Sequence, residues 1–529
     1  MPPHTHRALT RPLLITLALL LTTLTACSTP TPETPPSPTH TGTATSTNTG
    51  PPPPPAPPRP EFQSDWADCP LTGQPTRECA TLKVPVDAAK PDSGSTALAI
   101  SRVPATDRRR RIGVLLIDPG GPGLQGRYTV ANLLPPQFRA LFDIVGFDRR
   151  GSHASTPDVD CGEPGEAVEK LREGNTLVPT SVDLTAVTAE VKKYAAACTK
   201  KYGPLTGHLG TKSAAQDVEA IRRALEEDRI SLLGISYGTL LGQQYLATHP
   251  DRVRAAVLDG TADPDRTGPA EAVGSVLDLA DAGSARDKNA KTRQAEQVRA
   301  ALSGFLPWCR GAGPAECALA ENPLDAVTAV FAKSPDLVRS VNAVSQDPAL
   351  WPGFARAVDK ASDSTAGATD DLRKFADRKA PADLAQALRP VPNSLAFDLA
   401  NKCTDFRWPQ DTKALLDEVA ATAEKARNEP AGPSVAADFA PCAAWPGTGS
   451  PLGAVKAPSG PRPLIVSTEK DPRTPLAGAE KVASRLNAPL LKVGGDLHGV
   501  TTQGNECVQA ALVRVLVEGS APKAGKCPA

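Results

Sequence analysis

Short apolar runs recur along the chain, and each is closed by a turn signal. Ile112–Ile117 is apolar throughout and runs into Asp118-Pro119-Gly120-Gly121-Pro122-Gly123; Phe142–Phe147 runs into Asp148-Arg149-Arg150-Gly151. Ile230–Ile235, Ala255–Leu258, Pro463–Ser467 and Leu490–Val493 follow. Such runs suit strands buried on both faces of a parallel sheet. Between them the period changes. Val218, Ile221, Ala224 and Leu225 fall at helical spacing within Ala214–Glu227, and Tyr237–Thr248 and Pro475–Leu486 also read as helices. Strands alternating with helices predict an α/β fold, a mainly parallel sheet with helices on both faces.

The strand signal fades after Gly260. Residues 261–461 are rich in Ala, Asp and Lys, with helical patterns at Glu271–Leu279, Ala290–Leu306, Leu324–Phe331 and Thr412–Arg427. The expectation is a large, mainly helical cap inserted between two parts of one core, 61–260 and 462–529. The N-terminus has another pattern. Arg7 and Arg11 precede an apolar run, Leu13–Leu24, interrupted only by threonines. It is too short to span a bilayer but right for a signal-peptide core over 1–26. Leu24-Thr25-Ala26-Cys27 resembles the lipobox of bacterial lipoproteins, in which the Cys is lipidated and becomes the mature N-terminus. Residues 28–60 hold 13 prolines, nine threonines and only Glu33 and Arg59 as charges. Such a segment buries too little apolar surface to offset its ordering entropy. With Cys27 it reads as a tether over 27–60, extended at Pro51–Pro55.

Composition narrows the function. Lys+Arg and Asp+Glu both number 58, so the formal net charge is zero and no basic excess exists for nucleic acid. Eleven cysteines leave an even ten once Cys27 is set aside, as an exported, disulfide-bonded chain requires. Pairing neighbours closes five local loops: Cys69 with Cys79, Cys161 with Cys198, Cys309 with Cys317, Cys403 with Cys442 and Cys507 with Cys527. No CxxC pair suggests zinc or thiol redox chemistry, and no Gly-Lys-Ser/Thr follows the Gly-rich loop at 118–123. Neither metal nor cofactor is implied.

Gly234-Ile235-Ser236-Tyr237-Gly238 fits G-x-S-x-G, directly after a strand and before a helix. A nucleophilic Ser needs that strained turn, with glycines two residues either side so that the chains can approach. The Tyr237 N–H at the helix start can face an oxyanion. In sheets of this kind the acid and then the His follow the Ser along the chain. Only His249 and His498 lie beyond Ser236. His249 is 13 residues on, at the far end of the next helix and roughly 20 Å away at 1.5 Å per residue. His498, in the loop after the last strand, is the candidate base. Asp471, just past Pro463–Ser467, is the preferred acid, with Asp259 the runner-up; Asp496 would have to fold back sharply. Gly121 is the second candidate oxyanion donor. Arg108–Arg111 reads as a solvated loop, and Asp148, Arg149 and Arg150 as structural support for the site loops.

These residues carry a family resemblance. Glu78–Pro85, Pro119–Gly123, Gly146-Phe147-Asp148, Ile235–Thr239, Leu258-Asp259-Gly260, Cys403-Thr404-Asp405, Asp471 with Thr474-Pro475, His498-Gly499, Cys507 and Cys527 occur in order. From about Phe62 to the end, the chain resembles secreted actinobacterial tripeptidyl aminopeptidase-like α/β-hydrolases, serine exopeptidases of the proline iminopeptidase type. The resemblance implies an α/β-hydrolase fold and release of short peptides from free N-termini through an acyl-enzyme. The peptide would be the partner, with a membrane touched only through the lipid. It implies Ser236 as nucleophile, His498 as base, Asp471 as its orienting acid, and Gly121 and Tyr237 as oxyanion donors. Leu124-Gln125, Arg149, His153-Ala154 and Leu497 depart from the family pattern and bear on pocket shape. An esterase with the same triad and an inactive lipid-anchored binding protein are the alternatives.

Overall fold

The computed structural model describes residues 59–69, 76–127, 134–173, 183–265, 305–333, 350–362, 369–376, 394–425, 440–445 and 451–528, apart from the single positions 315, 410, 454, 472 and 496. Cys27, most of the tether, the helical pattern at Glu271–Leu279 and Asp496 lie outside them, as does Ala290–Leu306 except for its last two residues.

Ten described strands form one sheet: β1 Ala67–Asp68, β2 Glu78–Asp87, β3 Lys90–Val103, β4 Gly113–Asp118, β5 Phe142–Phe147, β6 Ile230–Ile235, β7 Val253–Asp259, β8 Leu464–Thr468, β9 Leu490–Val493 and β10 Gly525–Cys527. Their order is β1-β2-β3-β5-β4-β6-β7-β8-β9-β10. The pairs from β5 through β10 are parallel, whereas β1–β2, β2–β3 and β3–β5 are antiparallel. The apolar runs define the strands because successive side chains go to opposite faces and both faces are covered. Leu116 and Leu232 pack with Val218, Leu241 and Val482 on one side. Leu115 and Leu233 pack with Phe138, Val508 and Leu512 on the other.

The long hairpin of β2 and β3 is absent from the sequence reading. Its solvent-facing residues break the apolar run: Lys83 and Lys90 to Asp92 are exposed, while Leu82, Val84, Leu98 and Ile100 are buried. Helices stand at Pro323–Lys333 and Thr412–Lys425, near two of the expected patterns, and also at Phe305–Ala312, Trp351–Ser362, Asp370–Ala376 and Ser394–Asp405. They do not share one core. Phe305, Phe354 and Leu372 belong to one apolar cluster. Leu399, Cys403 and Trp445 belong to another, together with Val187, Val191 and Leu205 from before β6. Helices on both sides of residue 260 therefore pack together. The structure joins Cys69 to Cys79, Cys161 to Cys198, Cys309 to Cys317, Cys403 to Cys442 and Cys507 to Cys527.

This topology positions the site. The chain runs from β4 outward to β5 and then back to β6 on the other side of β4, so the strand order reverses between β4 and β6. Open α/β sheets bind ligands at such a reversal, outside the carboxyl ends of the strands. Asp118 at the end of β4 stands in register with Gly234 of β6.

Candidate active site

The turn after β6 is tight because its glycines allow it. A Cβ on Gly234 would lie 2.5 Å from the Gly238 carbonyl oxygen, and one on Gly238 would lie 2.3 Å from that of Asp118. Ser236 between them has φ +56°, a left-handed conformation that L-residues enter at a cost of about 1–2 kcal/mol. The turn is held by Ser236 N–H donating to the Asp259 carbonyl at 2.8 Å and by the Thr239 hydroxyl donating to the Ser236 carbonyl at 2.6 Å. Tyr237 precedes the helix Gly238–Thr248 and is buried.

His498 and Asp471 meet. His498 Nδ1 lies 2.9 and 3.0 Å from the two Asp471 carboxylate oxygens. Asp471 is fixed in turn. It accepts from the Arg473 and Thr474 amides at 2.9 Å and from the Thr474 hydroxyl at 3.0 Å, and that hydroxyl lies 3.3 Å from His498 Nδ1. With Nδ1 turned to the acid, Nε2 is left to act as base. It is buried with no hydrogen-bond partner, so no Ser236–His498 hydrogen bond is formed. In unliganded hydrolases that contact is often long and tightens on substrate binding. The His498 loop packs onto the elbow: a Cβ on Gly499 would lie 3.0 Å from Ile235 Cγ2. Gly260, at φ +60°, runs beneath the ring, where a Cβ would lie 3.1 Å from His498 Cε1.

Asp259, the other acid considered, is buried but makes no hydrogen bond to His498. Its carboxyl accepts from the Thr501 amide and hydroxyl, both at 2.7 Å, and so ties down the turn three residues beyond the base. Burial pushes this carboxyl above the ordinary carboxylate range. His249 stacks on Tyr245 at 5.0 Å and reaches Thr248, on the elbow helix's far end.

The loop after β4 forms the facing wall. Gly120 lies so close to the elbow that a Cβ there would sit 2.4 Å from the Ile235 carbonyl oxygen and 2.9 Å from the Tyr237 nitrogen. Gly121 follows at φ +106°, where only a glycine is comfortable. Two of the sequence departures meet behind this loop. Gln125 Nε2 lies 2.9 Å from His153 Nδ1, and His153 Nε2 lies 2.7 Å from the Gly123 carbonyl oxygen. Leu124 is the exposed large apolar side chain of the described residues, at 54%. Asp118 and Arg149 pair through Nη2 at 2.8 Å, and Arg150 pairs with Asp217 at 2.6 Å. Arg111, by contrast, is not freely solvated: it pairs with Asp143 and Glu227.

Sequence reasoning quoted Thr474 and Asp405 within the family motifs without giving them a role, and missed Thr501. Thr474 carries a signal in hindsight, since a Thr three residues after an Asp commonly bonds it within a turn. Thr501 carries none, and for Asp405 the motif does not show its role, because their partners are 242 and 168 residues away.

Strand order and elbow together define an α/β-hydrolase. A family model described as alpha/beta hydrolase fold matches residues 113–302, and one described as TAP-like protein matches 428–527. Serine protease Hip1 of Mycobacterium tuberculosis is 31% identical over 478 residues, covering 85% of this chain and 87% of that protein. Tripeptidyl aminopeptidase of Streptomyces coelicolor is 29% identical over 482 residues, covering 86% and 84%. Carboxylesterase B of M. tuberculosis is 29% identical over 472 residues, covering 84% and 85%. The chain belongs to the TAP-like family of α/β-hydrolases.

Proposed function

We propose that the protein is an exported serine aminopeptidase that releases short peptides, of tripeptidyl type, from free N-termini. Ser236 attacks the scissile carbonyl while His498 Nε2 takes its proton. Asp471 holds the imidazole in the tautomer with Nδ1 protonated and stabilises the imidazolium. The Tyr237 and Gly121 amides receive the oxyanion. His498 then protonates the leaving amine, an acyl-enzyme remains on Ser236, and water activated by the same base releases it. The observation that carries the reading is His498 itself: oriented through Nδ1 by a buried carboxylate, with a buried, unpartnered Nε2, on a loop whose Gly499 abuts Ile235, the residue before the strained Ser236. The relatives named tripeptidyl aminopeptidase and serine protease support peptide chemistry. A relative named carboxylesterase and the exposed Leu124 favour ester hydrolysis as the second reading.

Export fits five disulfides, which persist in oxidising compartments. No described helix is long and apolar enough to cross a membrane. We take Cys27 as the lipidated residue that holds the enzyme at the outer face of the cytoplasmic membrane. The test of the activity is a comparison of a free-amine tripeptide anilide, its N-acetylated twin and a short-chain ester. An aminopeptidase cleaves the first and spares the second. Ester cleavage without peptide cleavage overturns the reading in favour of an esterase.

A further inference from the structure

The helix Ser394–Asp405 ends in a carboxyl group that is almost fully buried, at 1% exposure, in a place where charge is unwelcome. A helix C-terminus carries partial negative charge and disfavours an acid, and no basic side chain makes a salt bridge to this one among the described pairs. What holds Asp405 is different. Its Oδ2 accepts from the Tyr237 hydroxyl at 2.8 Å, and its Oδ1 accepts from the Thr211 amide at 2.9 Å. The Thr211 hydroxyl is 3.3 Å from Arg149 Nη1. Arg149 lies over the Tyr237 ring, 5.6 Å from its centroid, and pairs with Asp118 at 2.8 Å. Asp118 in turn accepts from the Gly120 amide at 2.8 Å. The ring of contacts closes, because Gly120 abuts the Tyr237 backbone nitrogen.

Both walls of the proposed oxyanion hole are therefore ends of one buried polar chain, and Asp405 is its anchor outside the sheet. We infer that Asp405 is a positioning residue for catalysis: through the Tyr237 hydroxyl it fixes the amide that receives the oxyanion. It touches neither substrate nor the reacting atoms. The inference rests on Ser236 being the nucleophile, though not on which substrate is cleaved.

The test compares Tyr237→Phe, Asp405→Asn and the double variant in the full chain. Two rates are read per active site: labelling of Ser236 by a fluorophosphonate, which needs no peptide recognition, and kcat on whichever ester or peptide the wild type turns over. Active sites are counted by the end point of labelling, and thermal unfolding is recorded alongside. If Asp405 positions the donor, each single variant loses about 10- to 100-fold in both rates. KM then stays within about threefold, and the double variant is no worse than the worse single one. A purely structural Asp405, capping the helix Thr211–Ala224, gives a lower melting temperature with unchanged rates per active site, or a loss in Asp405→Asn that Tyr237→Phe does not share. Either result overturns the inference. Tyr237→Phe keeps the cap and the ring, so the inference stays decidable if Asp405→Asn fails to fold. Wild-type labelling with no peptide cleavage defeats the aminopeptidase reading alone.

Discussion

Ser236 is held at φ +56° by neighbours that leave it no alternative, and His498 by a carboxylate that is itself bonded three ways before the imidazole arrives. Rigidity of this kind makes single-residue predictions sharp. Gly260→Ala adds a methyl 3.1 Å from the His498 ring on a backbone at φ +60°. The ring must move, so kcat is expected to fall about 10- to 100-fold with little change in KM, measured by steady-state kinetics. Asp259 gives a pH prediction. Burial raises its carboxyl above the ordinary 3.8, so the folded form holds its proton to higher pH than the unfolded chain. Its contribution to stability is complete below the unfolded value and is lost as pH rises through the raised folded value. Asparagine does not titrate. The stability of the wild type relative to Asp259→Asn therefore falls as pH rises from about 4 toward neutrality. Thermal melts across that range check it, and parallel curves for the two proteins contradict it.

At the scale of elements, the strands that build the site were the most legible part of the chain. Phe142–Phe147, Ile230–Ile235 and Leu490–Val493 have the same bounds in sequence and structure, because short strands packed in a parallel sheet are dense in apolar residues, with Asp143, Ser231 and Lys492 as isolated polar positions. The elbow and the His498 loop followed, since each directly follows such a strand. The hairpin Glu78–Asp87 and Lys90–Val103 was illegible because one edge of it faces water and its apolar residues are diluted. The helix Ser394–Asp405 was missed for another reason: its buried residues pack on helices from before β6, a pairing local periodicity cannot show. That helix is pinned by Cys403–Cys442, a cross-link 39 residues apart. Cys403→Ser with Cys442→Ser is expected to cost about 2–4 kcal/mol in denaturant unfolding. It should also slow Ser236 labelling, because Asp405 lies two residues from the lost bridge. The Leu124 loop predicts selectivity. Leu124→Ala should lower kcat/KM for substrates with a large apolar residue on the acyl side by about 10-fold and leave alanine substrates unaffected.

On the function proposed above, Cys27 and the tether would set where the protein sits, and residues from about 59 onward would carry the chemistry. Cys27→Ala should release the protein from the membrane fraction without altering kcat on soluble substrates, read by fractionation and assay together. The relatives span at least 84% of their own lengths with this chain, so the shared architecture includes the helical segments and not the sheet alone. We place the proposed selectivity for a free amine in those segments, and the reactivity in the sheet. The central claim is that Ser236, driven by His498, is the nucleophile. Its most direct test is intact-mass and peptide mapping of the full chain after treatment with a fluorophosphonate. One adduct per chain is expected, on the peptide carrying Ser236, absent in Ser236→Ala and slowed at least about 100-fold in His498→Ala. An unlabelled wild type, or an adduct on a different residue, contradicts it.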